Sequence, residues 1–282
     1  MSGFGGVDAM VADVIKLNKI KHRRRQGRTA PQHAMTLAYW ALNGVFLADA
    51  TWHCWALATN HSSTTLISKF FLGFTLALLL KQQLRDRLPT TVLIAILFCI
   101  AGDILLHPLD LNYTDMSADR PVHFILGVIC FCVAYGHLAR YFMDLNPEWR
   151  SAITAQPWAL IFNCMVTLVV LLWMTLHSQA QSYLLAVLWL YSPIVVGAAT
   201  LATYTYARVR LLPFLALLVG MNLIVISDTI IGLSVFARIS LPWLSNSVWI
   251  LSTYIAGIFL VFNAVIYIEN ARLENVSGKV AQ

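Results

Sequence analysis

The segment 90–107 reads TTVLIAILFCIAGDILLH, an apolar run with one carboxylate near its end. A membrane-spanning helix needs about 20 mostly apolar residues, so this segment is a candidate span. The whole chain has the same character: of its 282 residues 59% are hydrophobic and 11% are charged, and the mean hydropathy is +0.71. Soluble domains carry roughly 25% charged residues. The composition therefore excludes a soluble globular domain and predicts a polytopic membrane protein.

Eight apolar segments are predicted to cross the membrane as helices. They are 34–57, 64–81, 90–107, 122–142, 157–177, 182–205, 212–236 and 244–268. The breaks between them carry proline and polar residues, and the short connections favour an all-α, up-and-down bundle. The predicted organisation is a basic cytoplasmic N-terminal segment over 1–33, an eight-helix transmembrane domain over 34–268 and a cytoplasmic C-terminal tail over 269–282.

The distribution of lysine and arginine predicts the orientation of the bundle. With the N-terminus inside, sixteen of these residues fall in cytoplasmic segments, whereas the outer loops hold Arg120 and Arg238 alone. Cytoplasmic loops of membrane proteins are enriched in Lys and Arg, so we expect both termini to be cytoplasmic. The same distribution accounts for the net charge of +6 without a nucleic-acid partner. The basic segment 1–33 either lies on the anionic leaflet or is a disordered tail, and both interpretations stay open.

Two aspartates inside predicted spans each follow a small residue near the end of an apolar run: Asp103 in Ala101–Leu106 and Asp228 in Ile226–Ile231. A carboxylate near the bilayer centre costs from about 3 to over 10 kcal/mol, so it usually faces a cavity and has a function there. At about 1.5 Å of helical rise per residue, four ionisable side chains share one depth, roughly 20–24 Å from the inner face. They come from four different spans: Asp49, Lys69, Asp103 and Asp228. Three uncharged polar residues near this layer are candidate lining residues: Tyr191, Tyr254 and Asn222.

Such a cluster favours acid–base chemistry. Like-charged carboxylates oppose joint ionisation, so Asp103 and Asp228 are expected to hold one proton between them, with Lys69 able to pair with one. A protonated acid beside an ionised base is what proton transfer near neutral pH requires. We interpret Ser227 as a hydroxyl that helps to line the cavity and note that His137 is well inside its span. A fixed Lys–Asp bridge that only orients helices is the alternative.

Histidines and cysteines are not expected to bind a metal. His53 and His107 each follow an aspartate by four residues, but they fall at the predicted outer interface, where a solvated histidine is ordinary. The sequence has no His-x-x-x-His or Glu-x-x-His motif. Its five cysteines all lie in apolar runs and are interpreted as small buried residues, not as a disulfide framework. We therefore expect no metal and no cofactor.

Short motifs resemble the YhhN-type lysoplasmalogenase family, which shows a Gly-Asp, an Ala-His and a Ser-Asp in this order across about eight spans. The corresponding pairs lie in spans three, four and seven: Gly102-Asp103, Gly136-His137 and Ser227-Asp228. Three further positions are similar to family motifs. Lys69-Phe70 is similar to a Lys-Pro, Tyr191 to a span-six tyrosine, and Tyr254-Ile255-Ala256-Gly257 to a Tyr-x-Ala-Gln in which glycine replaces the glutamine. The resemblance covers residues 35–268.

This resemblance implies a membrane hydrolase that cleaves the vinyl ether of a lysoplasmalogen to a fatty aldehyde and glycerophosphocholine or glycerophosphoethanolamine. Asp103 and Asp228 would be the acid and the base, in either order, and 34–268 the catalytic domain. Lys69 would modulate their protonation or meet the phosphate. Tyr191, Tyr254 and Ser227 would position water or glycerol oxygens. The expected partners are a lysophospholipid substrate and the bilayer, and the expected location is a bacterial inner (plasma) membrane.

Two other function classes stay open at this point. Buried Asp, Lys and His relays also occur in transporters, so a proton-coupled carrier of a lipid or amphiphile is the second hypothesis. A lipid-binding membrane protein without turnover is the third. The oligomeric state is open.

Overall fold

The computed structural model describes residues 37–59, 61–107, 120–178, 182–236 and 247–279, and every regular element within these ranges is helical. The predicted basic segment 1–33 lies outside the described residues. In chain order the helices are α1 (37–58), α2 (Ser62–Leu84), α3 (Thr90–Leu106), α4 (Arg120–Leu145), α5 (Trp149–Ala155), α6 (Trp158–Leu176), α7 (Ser182–Thr203), α8 (Leu211–Phe236) and α9 (Ser247–Lys279). A short 3₁₀ turn, Arg85–Arg87, follows α2.

Each of the eight predicted spans coincides with one of these helices, and α5 is an additional helix. Within the described residues, six helices are long and apolar enough to cross a membrane: α2, α4, α6, α7, α8 and α9. Helix α3 has only 17 residues, and α1, which carries Asn43, Asp49 and His53, is not among the six. The prediction of an all-α integral membrane protein is confirmed. The count of eight spans and the cytoplasmic position of both termini stay predictions.

The chain divides into two compact units, Met1–Gly44 and Val45–Gln282. Of the first unit, residues 37–44 are described and helical, and the Asn43 side-chain amide donates to the Tyr39 carbonyl over 2.9 Å. The site described below lies in the second unit.

Six helices of the second unit form a closed ring. Around it, α2 packs on α3, α3 on α4, α4 on α7, α7 on α8, α8 on α9, and α9 again on α2. Helix α6 lies outside the ring against α7 and α8. From Val45 onward, α1 contacts α2 through His53 and Ser68 and α9 through the stacked rings of Phe46 and Phe259, 5.1 Å apart. The ring therefore encloses an interior to which α6 is peripheral.

The last helix runs beyond the predicted final span. The segment 269–282, predicted as a cytoplasmic tail, continues α9 as far as Lys279. Within it, Glu269 accepts a hydrogen bond from the Tyr141 hydroxyl over 2.8 Å and forms an ion pair with Arg272 over 3.1 Å. These contacts tie the end of α4 to α9.

Two facing glycines let α8 and α9 approach closely. A Cβ atom at Gly257 would lie 2.7 Å from Ile224 Cγ1 and 2.8 Å from the Gly220 carbonyl oxygen, and a Cβ at Gly220 would lie 2.8 Å from the Gly257 oxygen. Small residues of this kind allow backbone-to-backbone packing of helices in membranes. The close approach holds together the two helices that carry Ser227 and Tyr254.

Replacing Gly257 with Ala is expected to destabilise the protein by about 1–3 kcal/mol, because the added methyl group overpacks the α8–α9 contact. Thermal unfolding of the purified protein measures this as a lower midpoint. Gly136→Ala is the matched control, since a Cβ at Gly136 has no atom within 4 Å. An unchanged midpoint for Gly257→Ala would contradict the close packing described here.

Candidate active site

A largely apolar cavity lies inside the ring and is lined by all six of its helices. It contains about 630 Å³ of space unoccupied by protein atoms, part of it open to the outside. It lies toward the end of the ring at which α3 and α8 end and α4, α7 and α9 begin. The apolar lining consists of Leu106, Phe124, Val128, Phe131, Val187, Leu188, Ile231, Gly232, Phe236 and Leu251. The polar lining consists of Lys69, Asp103, Tyr191, Ser227, Asp228 and Tyr254.

The two aspartates of spans three and seven both face this cavity, and a tyrosine hydroxyl donates to each. Tyr191 on α7 donates to Asp228 Oδ2 over 2.5 Å, and Tyr254 on α9 donates to Asp103 Oδ2 over 3.1 Å. Both tyrosines are buried. Both carboxyl groups line one apolar cavity, and like charges in such surroundings oppose joint ionisation. The arrangement suits a pair of acids that share a proton.

Lys69 brings a cationic group to the same cavity. Its side chain is buried and donates from Nζ to the backbone carbonyl of Asp103 over 3.1 Å. This contact joins α2 to the last turn of α3 and fixes the ammonium group beside the acid-bearing segment. A buried ammonium group in an apolar cavity is suited to an anionic ligand.

Ser227 also lines the cavity, but its hydroxyl group donates a hydrogen bond to another residue of the protein. Ser227 Oγ donates to the backbone carbonyl of Ile250 over 2.8 Å, and the residue is fully buried. The bond ties α8 to α9 one residue before Asp228. Ser227 therefore positions the acid-bearing turn of α8.

Three other predicted site residues lie outside this lining. Asn222 is exposed on α8 and donates its amide to the Leu218 carbonyl over 2.7 Å. Six residues separate it from Asp228, which places the two side chains on different faces of the helix. His137 is half-buried on α4. Asp49 is buried on α1 and is not among the residues that line this cavity.

The expectation of a solvated His53 is wrong. The side chain is fully buried, and Nδ1 lies 2.6 Å from Ser68 Oγ, because α1 packs against α2 at this point. Among the described residues, no group of three or more His, Cys, Asp or Glu side chains is arranged to hold a metal ion.

Sequence analysis missed the aromatic surroundings of the acids. Tyr135 is fully buried, and its ring lies 5.9 Å from that of Phe131 and 6.1 Å from that of Tyr191. Cys99, interpreted only as a small buried residue, is buried one helical turn before Asp103. The available signal was spacing, since Cys99 and Asp103, and Phe131 and Tyr135, are each four residues apart on one helix face.

Tyr191→Phe and Tyr254→Phe are each expected to lower kcat/KM of the reaction proposed below about 10-fold. Each change removes one hydrogen bond to a carboxyl group, a contact worth roughly 1.5 kcal/mol at the lower end for a charged acceptor. Steady-state kinetics measures the loss. Tyr183→Phe, an exposed tyrosine on the same helix as Tyr191, is the control and should match the wild type. Full activity in both cavity variants would exclude these bonds from the mechanism.

Two carboxyl groups, two phenols and an ammonium group thus meet in an apolar chamber inside a ring of helices. These features define a polytopic integral membrane protein with a buried cluster of ionisable side chains. The model of the YhhN family matches residues 64–265, most of the chain, and the protein belongs to that family. The resemblance read from the sequence motifs is confirmed. Searches of curated proteins and of solved structures each gave no match.

The structure also explains the departure from the family motif at Gly257. The glutamine of the motif has no room there, because even a Cβ atom would approach the Gly220 carbonyl oxygen to 2.8 Å. The neighbouring Tyr254, one turn earlier, keeps its contact with Asp103.

Proposed function

We propose that this protein hydrolyses the vinyl ether bond of lysoplasmalogens, releasing a fatty aldehyde and glycerophosphocholine or glycerophosphoethanolamine. Membership of the YhhN family supports a function of this type at the level of the family. The observation that carries the proposal is that Asp103 and Asp228 line one apolar cavity, each held by a tyrosine hydroxyl.

The chemistry of a vinyl ether matches this pair of acids. Protonation of the β-carbon converts the vinyl ether to an oxocarbenium ion, and water then adds to the carbon that bears the oxygen. The resulting hemiacetal collapses to an aldehyde and the glycerol hydroxyl, so one water molecule is consumed. The enzyme must supply one protonated acid and one carboxylate that steadies the cation and accepts a proton from water.

The cavity provides a group for each requirement. One of the two aspartic acids donates the proton and the other, ionised, faces the oxocarbenium ion and activates water. Tyr191 and Tyr254 hold the two carboxyl groups in place, and Lys69 binds the substrate phosphate. The aromatic lining keeps the site poor in water, which strengthens these electrostatic contacts.

Incubating the purified protein with a 1-alkenyl lysophospholipid tests the proposal directly. Stoichiometric release of aldehyde and glycerophosphoalcohol is expected, and the saturated 1-alkyl ether analogue should release neither product. Absence of aldehyde under all conditions contradicts the proposal. Measuring lipid flux in proteoliposomes then separates the carrier hypothesis from binding without turnover.

A further inference from the structure

Two further cavities lie next to the reaction cavity, and α6 lines part of each. The first is lined by α6, α7 and α8 and shares Leu188, Tyr191 and Asp228 with the reaction cavity. The second is lined by α6 and α7 and shares Thr167, Leu171 and Val196 with the first. We call the two together the α6 groove. It therefore begins at the acid Asp228 and leads away from the ring.

The walls of the α6 groove offer little to a polar ligand. Its serine and threonine hydroxyl groups donate to carbonyls of their own helices: Thr167 to Asn163, Ser192 to Leu188, Thr200 to Val196 and Thr229 to Val225, over 2.6–2.9 Å. Such intrahelical bonds satisfy the hydroxyl groups and leave the surface apolar. Among the described residues that line the groove, Asp228, at its inner end, is the single charged one.

The groove has about the length of a lipid tail. From Met174 to Leu160 it follows α6 for 14 residues, about 21 Å at 1.5 Å per residue. One leaflet of the hydrocarbon core is about 15 Å thick. Helix α6, which forms the outer wall of the groove, is loosely packed. Among the contacts described it packs only on α7 and α8, and it buries just Leu171 and Met174. An alkyl chain could enter sideways past this helix.

We propose that the α6 groove binds the hydrocarbon chain of the substrate, while the glycerophosphate end occupies the reaction cavity near Lys69. This inference rests on the proposed function and adds the direction in which the substrate lies. A lysoplasmalogen has an apolar chain on one side of its vinyl ether and an anionic group on the other. The protein has the same order: apolar groove, then Asp228 and Tyr191, then the cavity with the Lys69 ammonium group.

Photo-crosslinking tests this placement without requiring turnover. The probe is a saturated 1-alkyl ether lysophospholipid with a diazirine at the end of a sixteen-carbon chain, bound to the full-length protein in proteoliposomes. Peptide mapping should find label on α6 and α7 within 160–174 and 189–200, lost on competition with the unlabelled ether lipid. Competed label concentrated on Phe124–Phe131 and Leu251 would overturn the proposal, as would the lack of any competed label.

Gly197 supplies a variant that shortens the groove. It lines the outer part of the groove, and a Cβ there has no atom within 4 Å, so Gly197→Phe fills empty space. One methylene too many in an apolar pocket costs roughly 10-fold or more in kcat/KM. We expect at least that loss with a sixteen-carbon lysoplasmalogen and less than about twofold with an eight-carbon one.

Gly136→Phe is the control, because Gly136 has equally open surroundings on α4 and lines neither the reaction cavity nor the α6 groove. It should leave both chain lengths unaffected. Equal losses for both chain lengths in Gly197→Phe, or no loss for either, would overturn the groove assignment. If the wild-type protein hydrolyses no lysoplasmalogen, the proposed function fails and the crosslinking result alone decides where the chain binds.

Discussion

Asp103→Asn and Asp228→Asn are each expected to lower the rate of aldehyde release roughly 10²- to 10⁴-fold, the usual contribution of a general acid or base. An amide can neither donate the proton to the β-carbon nor accept one from water. Because the two groups act as a unit, the double variant should lose little more than either single variant. Aldehyde release at saturating lysoplasmalogen, followed over hours, gives the residual rates.

Asp144→Asn is the control for these variants. Asp144 is an exposed aspartate on α4 that pairs with Arg140 over 3.3 Å, far from the chemistry proposed here. Its replacement should preserve the rate. All of these variants should insert into the membrane and should keep the wild-type midpoint of thermal unfolding. Full activity of either cavity variant would remove that aspartate from the mechanism.

Lys69→Gln is expected to lower kcat/KM for a lysoplasmalogen about 100-fold, since truncating one partner of a buried charge pair costs 2–5 kcal/mol. The loss of kcat/KM should depend on the phosphate group of the substrate. A 1-alkenylglycerol, which has the same vinyl ether but no phosphate, should be hydrolysed by the variant and the wild type at similar rates. Competition between the two substrates with each protein measures the difference.

Lys81→Gln is the matched control, an exposed lysine near the end of the same helix. It should be neutral with both substrates. If Lys69→Gln slows both substrates equally, Lys69 acts on the carboxyl groups instead of the phosphate. If it slows neither, Lys69 has no part in the reaction.

The helices were predictable because the hydrocarbon core of the bilayer restricts which backbone structures a spanning segment can adopt. A run of apolar residues long enough for the bilayer must satisfy its backbone polar groups internally, and a helix does so. The eight predicted segments accordingly coincide with eight helices, to within a few residues at most ends. Helix α5 was missed because its seven residues carry no apolar run of that length. The ring order was also missed, since it depends on which helix faces pack together.

The sequence predicted the depth of the site residues in the bilayer, but not the direction in which their side chains point. Counting residues along a helix predicts the height of a side chain in the bilayer, and Lys69, Asp103 and Asp228, predicted at one height, line one cavity. The same count placed Asn222 near them, although it points to another face of α8. The count also placed Asp49 near them, although Asp49 is not among the residues that line the cavity.

The partners of the acids could not be read from the sequence at all. Tyr191 was selected by depth and by the family resemblance, but its bond to Asp228 results from the packing of α7 on α8. Likewise, the bond from Tyr254 to Asp103 crosses from α9 to α3, two helices that are not neighbours in the ring. Contacts between helices so distant in the sequence follow from side-chain packing, not from periodicity.

The most direct test of the proposed mechanism is the fate of a solvent deuteron during turnover in heavy water. Proton transfer from an aspartic acid to the β-carbon should place one deuterium on carbon 2 of the released aldehyde, detected by mass spectrometry after immediate reduction to the alcohol. The glycerol oxygen should stay with the glycerophosphate product when the water carries oxygen-18. Aldehyde without deuterium at carbon 2, or label in the glycerol oxygen, would contradict the mechanism.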